Sequence, residues 1–471
     1  MDRLNLVLEN VPDDKIIRYL DVIRGKGRDD FPVRAMWNAV LAGVVLQHPS
    51  IASLSRELSR NPLLLATCGF NPLPKQAPPT PYLETDEQGH TQIHSISHEP
   101  QNPAPSENNL SRFMGNVISL EENLGMISGL IPLLREQLMA ELPDFGQHQG
   151  YDGKAIESHS TGQKSRETGE TSDPDASWGK HETGGVDANG KAWSKIKSWF
   201  GYTLHLVADT QYEIPIAFDI KPANEAESPA LREAIQKAFD ESPELAQRCQ
   251  SFSADRGLDC EKTKKLLWDD YAIRPLIDTR QLWREEKSHP DYDPKQPIMR
   301  PLDPQRVDTI LYTEKGSVHC RCPNSGEIRD LAFQGFESDR NSLKYRCPAA
   351  AYGLNCEGKE TCHKAGNVQP GEYGRIIRVS LDQQDRRIFT PTPHGSPSWN
   401  RGYNRRSALE RINSRIDHGY FFEYHFIRGI HKMKTHMGLA LAVMMAMALG
   451  HVRRGTPEKM RSLVGAIPAV A

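Results

Sequence analysis

Ser251-Phe252-Ser253-Ala254-Asp255-Arg256-Gly257 is a short strand-like run that stops at a carboxylate, an arginine and a glycine. Asp255 ends the strand, and Gly257 permits a tight exit and the close approach of a bulky ligand. An Asp that caps the helix predicted over Glu261 to Tyr271 is the structural alternative. Upstream, Tyr151 to Ile156 reads as another strand, with Asp152 beside Gly153. Phe200 to Ala208 and Glu213 to Ile220 alternate in the manner of strands and are joined by the hairpin residues Asp209-Thr210-Gln211-Tyr212. Pro215 argues that the second of these is an edge strand. Ser228 to Asp240 is a helix with Pro229 in its first turn, and Ile273 to Ile277 is a further strand. The order strand, strand, strand, helix, strand, helix, strand predicts an α/β fold: a mixed sheet that begins with a hairpin and continues by right-handed crossovers.

The 471 residues suffice for a substantial core and two or three domains. A hydrophobic fraction of 38% with 35 Gly and 33 Pro excludes a fibre and a wholly disordered chain. The formal charge of −3 argues by itself against a nucleic-acid binder, but it averages over strong segregation. Residues 84–148 carry ten acids against Arg112 and Arg135, whereas residues 371–434 carry twelve bases against six acids. The local balance is what meets a phosphate backbone. Eight Cys do not make a disulfide scaffold at this length, and the expectation is a cytosolic chain without a signal peptide. The longest apolar run, Met437 to Gly450, falls short of the roughly 18 residues of a membrane span and reads as a buried helix.

Outward from the sheet, residues 1–70 are a helical N-terminal region, with Ser50 as cap of a helix carrying Ile51, Leu54 and Leu58. The prolines of 71–107 predict a linker without persistent helix or sheet. Residues 108–148 are a helical connector that Pro132 kinks or divides. The α/β core runs first through 149–282, with the polar stretch Glu157 to Ser198 as a surface loop. An insertion with a Cys cluster follows at 283–370, then core completion and C-terminal helices at 371–450, and a tail at 451–471. Helices are expected over Arg405 to Ile416, near Ile427 to Gly450 and over Pro457 to Val464.

Asp152, Asp255 and Glu410 form the candidate constellation, because phosphodiester chemistry calls for hard divalent ions and these prefer carboxylate oxygens. On a continuous helix Tyr403, Arg406, Glu410 and Asp417 share one face while Leu409, Ile412 and Ile416 share the other, which aims a carboxylate beside a phosphate-binding cation. A solvated ion-pair face has the same pattern. Asp173, Asp175 and Asp209 compete with Asp152, but Pro174 marks the first two as loop residues and Asp209 occupies a hairpin turn.

These stretches together resemble a bacterial insertion-sequence transposase of the class that carries a DDE triad and a tyrosine, arginine and glutamate signature. The matching residues are Tyr151-Asp152-Gly153, Ser172-Asp173-Pro174-Asp175, Phe200 to Leu206, Ala254 to Gly257 and Leu409 to Arg415, in family order. The resemblance implies an RNase-H-like catalytic domain, Mg²⁺ or Mn²⁺ at Asp152, Asp255 and Glu410, and cleavage and strand transfer at element ends. It places the signature on Tyr403, Arg406 and Glu410; the family's lysine falls at position 417, where this chain has Asp417, so that Lys432, Lys434 or an arginine must substitute or activity drops. Double-stranded DNA, a homodimer or larger assembly, no membrane and a cytoplasmic, nucleoid-associated location are the implied partners and place. The other functional classes are an inactive, element-derived DNA-binding protein and a metal-dependent nuclease without transposition.

Arg256, Tyr403, Arg406, Arg401 and Arg405 are the expected phosphate and DNA contacts, and Arg375, Arg378, Arg386 and Arg387 extend the basic run into a DNA channel or a solvated face. Cys320, Cys322, Cys347, Cys356, Cys362 and His363 gather soft ligands at spacings that fit no common finger. Structural Zn²⁺ and buried free thiols are the two readings of that cluster.

Overall fold

A computed structural model describes residues 1–26, 31–74, 80–85, 91–96, 102–165, 169–186, 192–280, 282–287, 289, 297–303, 309–365 and 374–461 of the chain. Five helices open it: α1 (Asp2–Asn10), α2 (Asp14–Arg24), α3 (Val33–Val45), α4 (Ile51–Arg60) and α5 (Pro62–Cys68). The Ser50 side chain accepts from the Ser53 amide at 3.1 Å and so starts α4 as its sequence predicts. The proline-rich segment departs from expectation. Strands β1 (Thr80–Thr85) and β2 (Thr91–Ile96) form an antiparallel hairpin there. Pro81 is tolerated because the hairpin has only two strands, both of them edges.

Helices α6 (Glu107–Leu124) and α7 (Leu130–Glu141) follow. The division falls at Gly125, which turns left-handed at φ 59°, and Pro132 is instead accommodated in the first turn of α7, where its missing N–H is not needed.

The central sheet contains β3 (His148–Glu157), β4 (Ser177–Val186), β5 (Ala192–Asp209), β6 (Ile214–Pro222), β7 (Ser251–Ala254) and β8 (Arg274–Ile277). Helices α8 (Glu227–Glu241) and α9 (Pro243–Arg248) connect β6 to β7, and α10 (Glu261–Lys265), prolonged by a π turn to Asp270, connects β7 to β8. The core runs β6-β5-β3-β7-β8: β5 is antiparallel to both neighbours, and β3, β7 and β8 are parallel. Pro215 does lie in an edge strand, since among the described strands β6 pairs only with β5. The expected loop over 157–198 is a loop only in part. Strand β5 starts at Ala192, earlier than its apolar pattern suggests, and its first half pairs with β4 in a ribbon that extends from the sheet. Polar side chains hide such a ribbon from a hydrophobic reading, because both of its faces meet solvent.

Beyond the short helix α11 (Arg284–Lys287), strands β9 (Arg300–Pro301), β10 (Ile310–Tyr312), β11 (Val318–Arg321) and β12 (Ile328–Asp330) form one antiparallel sheet. A second consists of β13 (Ala332–Glu337), β14 (Ser342–Arg346) and β15 (Ile376–Ser380), with α12 (Pro348–Tyr352) and α13 (Lys359–Ala365) between the last two. These sheets have their own apolar core around Trp283, Ile310, Leu343, Val379 and Phe389.

The chain returns to the central sheet through α14 (Pro397–Asn404), α15 (Ser407–Ser414) with a π turn from Arg415 to Gly419, and α16 (Ile430–Arg453). The helix expected over 405–416 is α15 with its π turn, and a separate helix, α14, precedes it and meets it at Arg405-Arg406, so Tyr403 and Glu410 do not share one continuous helix. Helix α16 is long and apolar enough to cross a membrane by length and composition, yet it is buried against α1, α3, α6, α7 and β6. Its side chains join the N-terminal helices and the sheet in one continuous core. The C-terminal helix expected over 457–464 is only a 3-10 turn at Pro457–Lys459 within the described residues.

Candidate active site

Strand register brings the first two carboxylates together. Gly150 of β3 pairs with Ser253 of the parallel β7, so Asp152 and Asp255 stand in step two residues further along. Ala254 pairs with Ile277, which puts Asp278 in the same position at the end of β8. Asp255 and Asp278 thus follow the carboxyl ends of β7 and β8, where open α/β sheets place their sites, and stand level with Asp152 midway along the longer β3.

Two glycines let α14 and α15 come close to the sheet. A Cβ on Gly150 would lie 3.0 Å from Leu409 of α15, and one on Gly402 would lie 2.5 Å from Leu276 of β8. Helix α15 is anchored from its far side by Glu213, a buried residue at φ 60° in the β5–β6 turn. Its carboxylate accepts from Arg411 at 2.8 Å and also pairs with Arg415. On the sheet side, Asn413 Nδ2 donates to Asp152 Oδ2 at 2.7 Å.

Arg406 lies between the carboxylates, 3.7 Å from Asp152 Oδ1 and 3.0 Å from Glu410 Oε1. Burial raises the Asp152 carboxyl to about 6; Arg406 and Asn413 oppose that shift, while the charges of Asp255 and Glu410 add to it. The three sequence-derived carboxylates therefore share one electrostatic neighbourhood. Among the described residues, however, no group of three His, Cys, Asp or Glu side chains already stands in metal-ligand arrangement. The donors are hard, mutually repelling oxygens, a set that suits Mg²⁺ or Mn²⁺ and that a divalent cation would relieve.

Asp417 is not an isolated repulsive charge. It accepts from Lys154 Nζ at 2.7 Å, and Lys154 lies two residues beyond Asp152 on the same face of β3. Lys434 pairs instead with Asp219 at 2.8 Å. Lys154 escaped the sequence reading because only the tertiary structure joins β3 to the turn after α15. Glu227 was also missed: burial raises its carboxyl, with Asp152 and Asp255 contributing, and a Cβ on Gly153 would lie 2.9 Å from its Oε1. Asp278 had a readable signal, since it ends β8 as Asp255 ends β7. Its Oδ1 is 2.8 Å from His394 Nε2, and the His394 ring packs on Trp399, which stacks on Tyr403 with centroids 4.6 Å apart.

The competing carboxylates have structural roles. Asp209 accepts from the amides of Gln211 and Tyr212 within the hairpin and from that of Gly146 just before β3. Asp173 accepts from Tyr202 and the Gly429 amide, and Asp175 from the Ile430 amide, so both hold the start of α16. Four arginines of the basic run are engaged within the protein. Arg375 is buried against Thr309, Arg378 pairs with Glu337, Arg386 with Asp269 and Arg387 with Asp385. Arg401 and Arg256 are exposed, and Arg405 lies in the field of His148 near the start of β3. Cys320, Cys322, Cys347, Cys356 and Cys362 surround one cavity of about 230 Å³ and form no disulfide. The side chain of His363 lies outside the described residues.

A mixed sheet with this strand order and an acidic edge defines an α/β protein consistent with an RNase-H-like DDE domain. Residues 150–310 match the family model described as the transposase DDE domain, and the chain accordingly carries such a domain. The matched span includes Asp152 and Asp255 and ends before Glu410. Among curated proteins, no match to the chain was found.

Proposed function

We propose that the chain is a DNA transposase that cleaves phosphodiesters at the ends of an insertion sequence and joins the liberated ends to a target. The observation that carries the reading is the in-register pair Asp152 and Asp255, with α15 clamped above it through Asn413 and with Arg406 bridging to Glu410. Asp152, Asp255 and Glu410 would hold Mg²⁺ or Mn²⁺, which when bound polarises the scissile phosphate and activates the attacking oxygen. Arg406 is already confined beside these carboxylates and would exchange its ion pairs for a phosphate oxygen. Arg256, Arg401 and Arg405 would neutralise backbone phosphate further out, and Tyr403, stacked on Trp399, offers a ring edge to a distorted end. Lys154 neutralises Asp417, so that position 417 presents no uncompensated negative charge to a phosphate, which favours an active enzyme over an inactive DNA-binding relative.

The partner in this reading is double-stranded DNA in the cytoplasm, and a homodimer or larger assembly would pair two element ends. The test incubates the purified protein and Mn²⁺ with labelled element ends and a target duplex. Specific 3′ hydroxyl products and joined strands, both lost in Glu410→Gln, are expected. Equal cleavage by that variant would remove Glu410 from the site, and cutting without joining would make the protein a nuclease. For the cysteine cavity, zinc analysis after dialysis separates a metal site, with near-stoichiometric zinc, from buried thiols.

A further inference from the structure

The β4–β5 ribbon has two chemically different faces. Register pairs Gly179 with Trp199 and His181 with Lys197, so the described side chains of one face are His181, Lys197, Lys195, Trp193 and, at the root, Trp199. That face carries no carboxylate among the described side chains. Glu182 lies on the opposite face with Lys180, Ile196 and Trp178, and accepts from Ser194 at 2.7 Å.

The basic face is rigid at its root and exposed beyond it. A Cβ on Gly179 would lie 2.5 Å from the Trp199 ring, so the glycine leaves room for that ring to lie across the ribbon, and Trp199 Nε1 donates to the Tyr202 carbonyl at 3.0 Å. Trp193, further out, is 49% exposed. A two-stranded ribbon with uncovered aromatics on solvent-facing strands is marginal by itself and gains from a partner surface.

Its position selects that partner. His181 lies in the field of Glu227, and Glu227 in the fields of Asp152 and Asp255. The basic face thus begins beside the acidic strand ends and leads away from them. We infer that this face binds the phosphate backbone of duplex DNA leaving the active site, with Lys195 and Lys197 neutralising phosphates and Trp193 packing on the sugar edge. The inference rests on the transposase reading and adds to it an element that holds DNA outside the carboxylate site. A protein partner would need matching acids, whereas duplex DNA presents regularly spaced negative charge, and a two-stranded ribbon has the width of its major groove.

The test measures binding of the full chain to a duplex of fixed length by fluorescence anisotropy across a salt series, for wild type, Lys195→Gln/Lys197→Gln, Lys195→Arg/Lys197→Arg and Lys180→Gln. Loss of two phosphate contacts should reduce the salt slope by roughly 2 and weaken binding at least about tenfold at low salt. The arginine pair should retain the wild-type slope, and so should Lys180→Gln on the other face. Circular dichroism verifies that each variant is folded. Unchanged slope and affinity in the glutamine pair, or an equal loss in Lys180→Gln, overturns the ribbon assignment while leaving the transposase reading standing. A wild-type chain that binds no duplex defeats that reading itself, and the ribbon with it.

Discussion

Asp152 shows how a single residue links the site to pH. Its carboxyl is raised to about 6 by burial, with the charges of Asp255 and Glu410 adding. The folded state then holds the proton more tightly than the unfolded chain, whose Asp titrates near 3.9. Stability from the protonated form is complete below about pH 4 and is lost as pH rises through about 6. Asp209, also raised to about 6, loses stability over the same window, so the comparison must be with a variant. Asp152→Asn should lose less stability than wild type between about pH 4 and 7, by roughly 1–3 kcal/mol in denaturant unfolding. Parallel curves for the two proteins would mean that the carboxyl is not perturbed. Because the ion needs the carboxylate, Mg²⁺ should raise the wild-type melting temperature at neutral pH, raise it less at about pH 5, and leave Asp152→Asn unshifted.

Single elements determine whether Glu410 can reach the other carboxylates. Helix α15 depends on Glu213, a buried carboxylate that binds Arg411 and Arg415 from the β5–β6 turn. Glu213→Ala leaves those cations without their partner and should lower stability by about 3–5 kcal/mol, read from chemical denaturation. A loss below about 1 kcal/mol would show the pair to be solvent-screened. The Lys154–Asp417 bridge between β3 and the turn after α15 calls for a charge-swap test. Lys154→Asp and Asp417→Lys should each depress cleavage at least about tenfold, since each places two like charges in contact, and the double variant should recover most of it. Absence of recovery would mean that Lys154 acts on something other than Asp417.

At the scale of the whole molecule, two apolar cores divide the chain. The larger unites the N-terminal helices, the central sheet and α16, whose side chains from Met437 to Gly450 are buried; the smaller belongs to the sheets of the Cys-containing region. Amides in α16 should therefore exchange with solvent most slowly, by global unfolding, and those of β13 to β15 faster, by opening of the smaller unit. Equal protection in both, measured by hydrogen exchange, would indicate one cooperative body.

Much of this was legible in the residues alone. The strand ending at Asp255, the hairpin at Asp209, the edge strand marked by Pro215 and the buried helix over 437–450 all follow from local pattern, because alternation, turn chemistry and apolar runs are properties of neighbouring residues. The sequence likewise determined which acids were candidates. Only the tertiary structure decided which of them meet: parallel register put Asp278 beside Asp255, and strand β3 brought Lys154 to Asp417 across more than half the chain. It also showed that four arginines of the basic run are engaged within the protein and that part of the polar stretch 157–198 forms a ribbon. The physical reason is the same in each case. Short-range preference fixes the conformation of a segment, whereas charge pairing, burial and strand register depend on residues brought together only when the chain closes on its core.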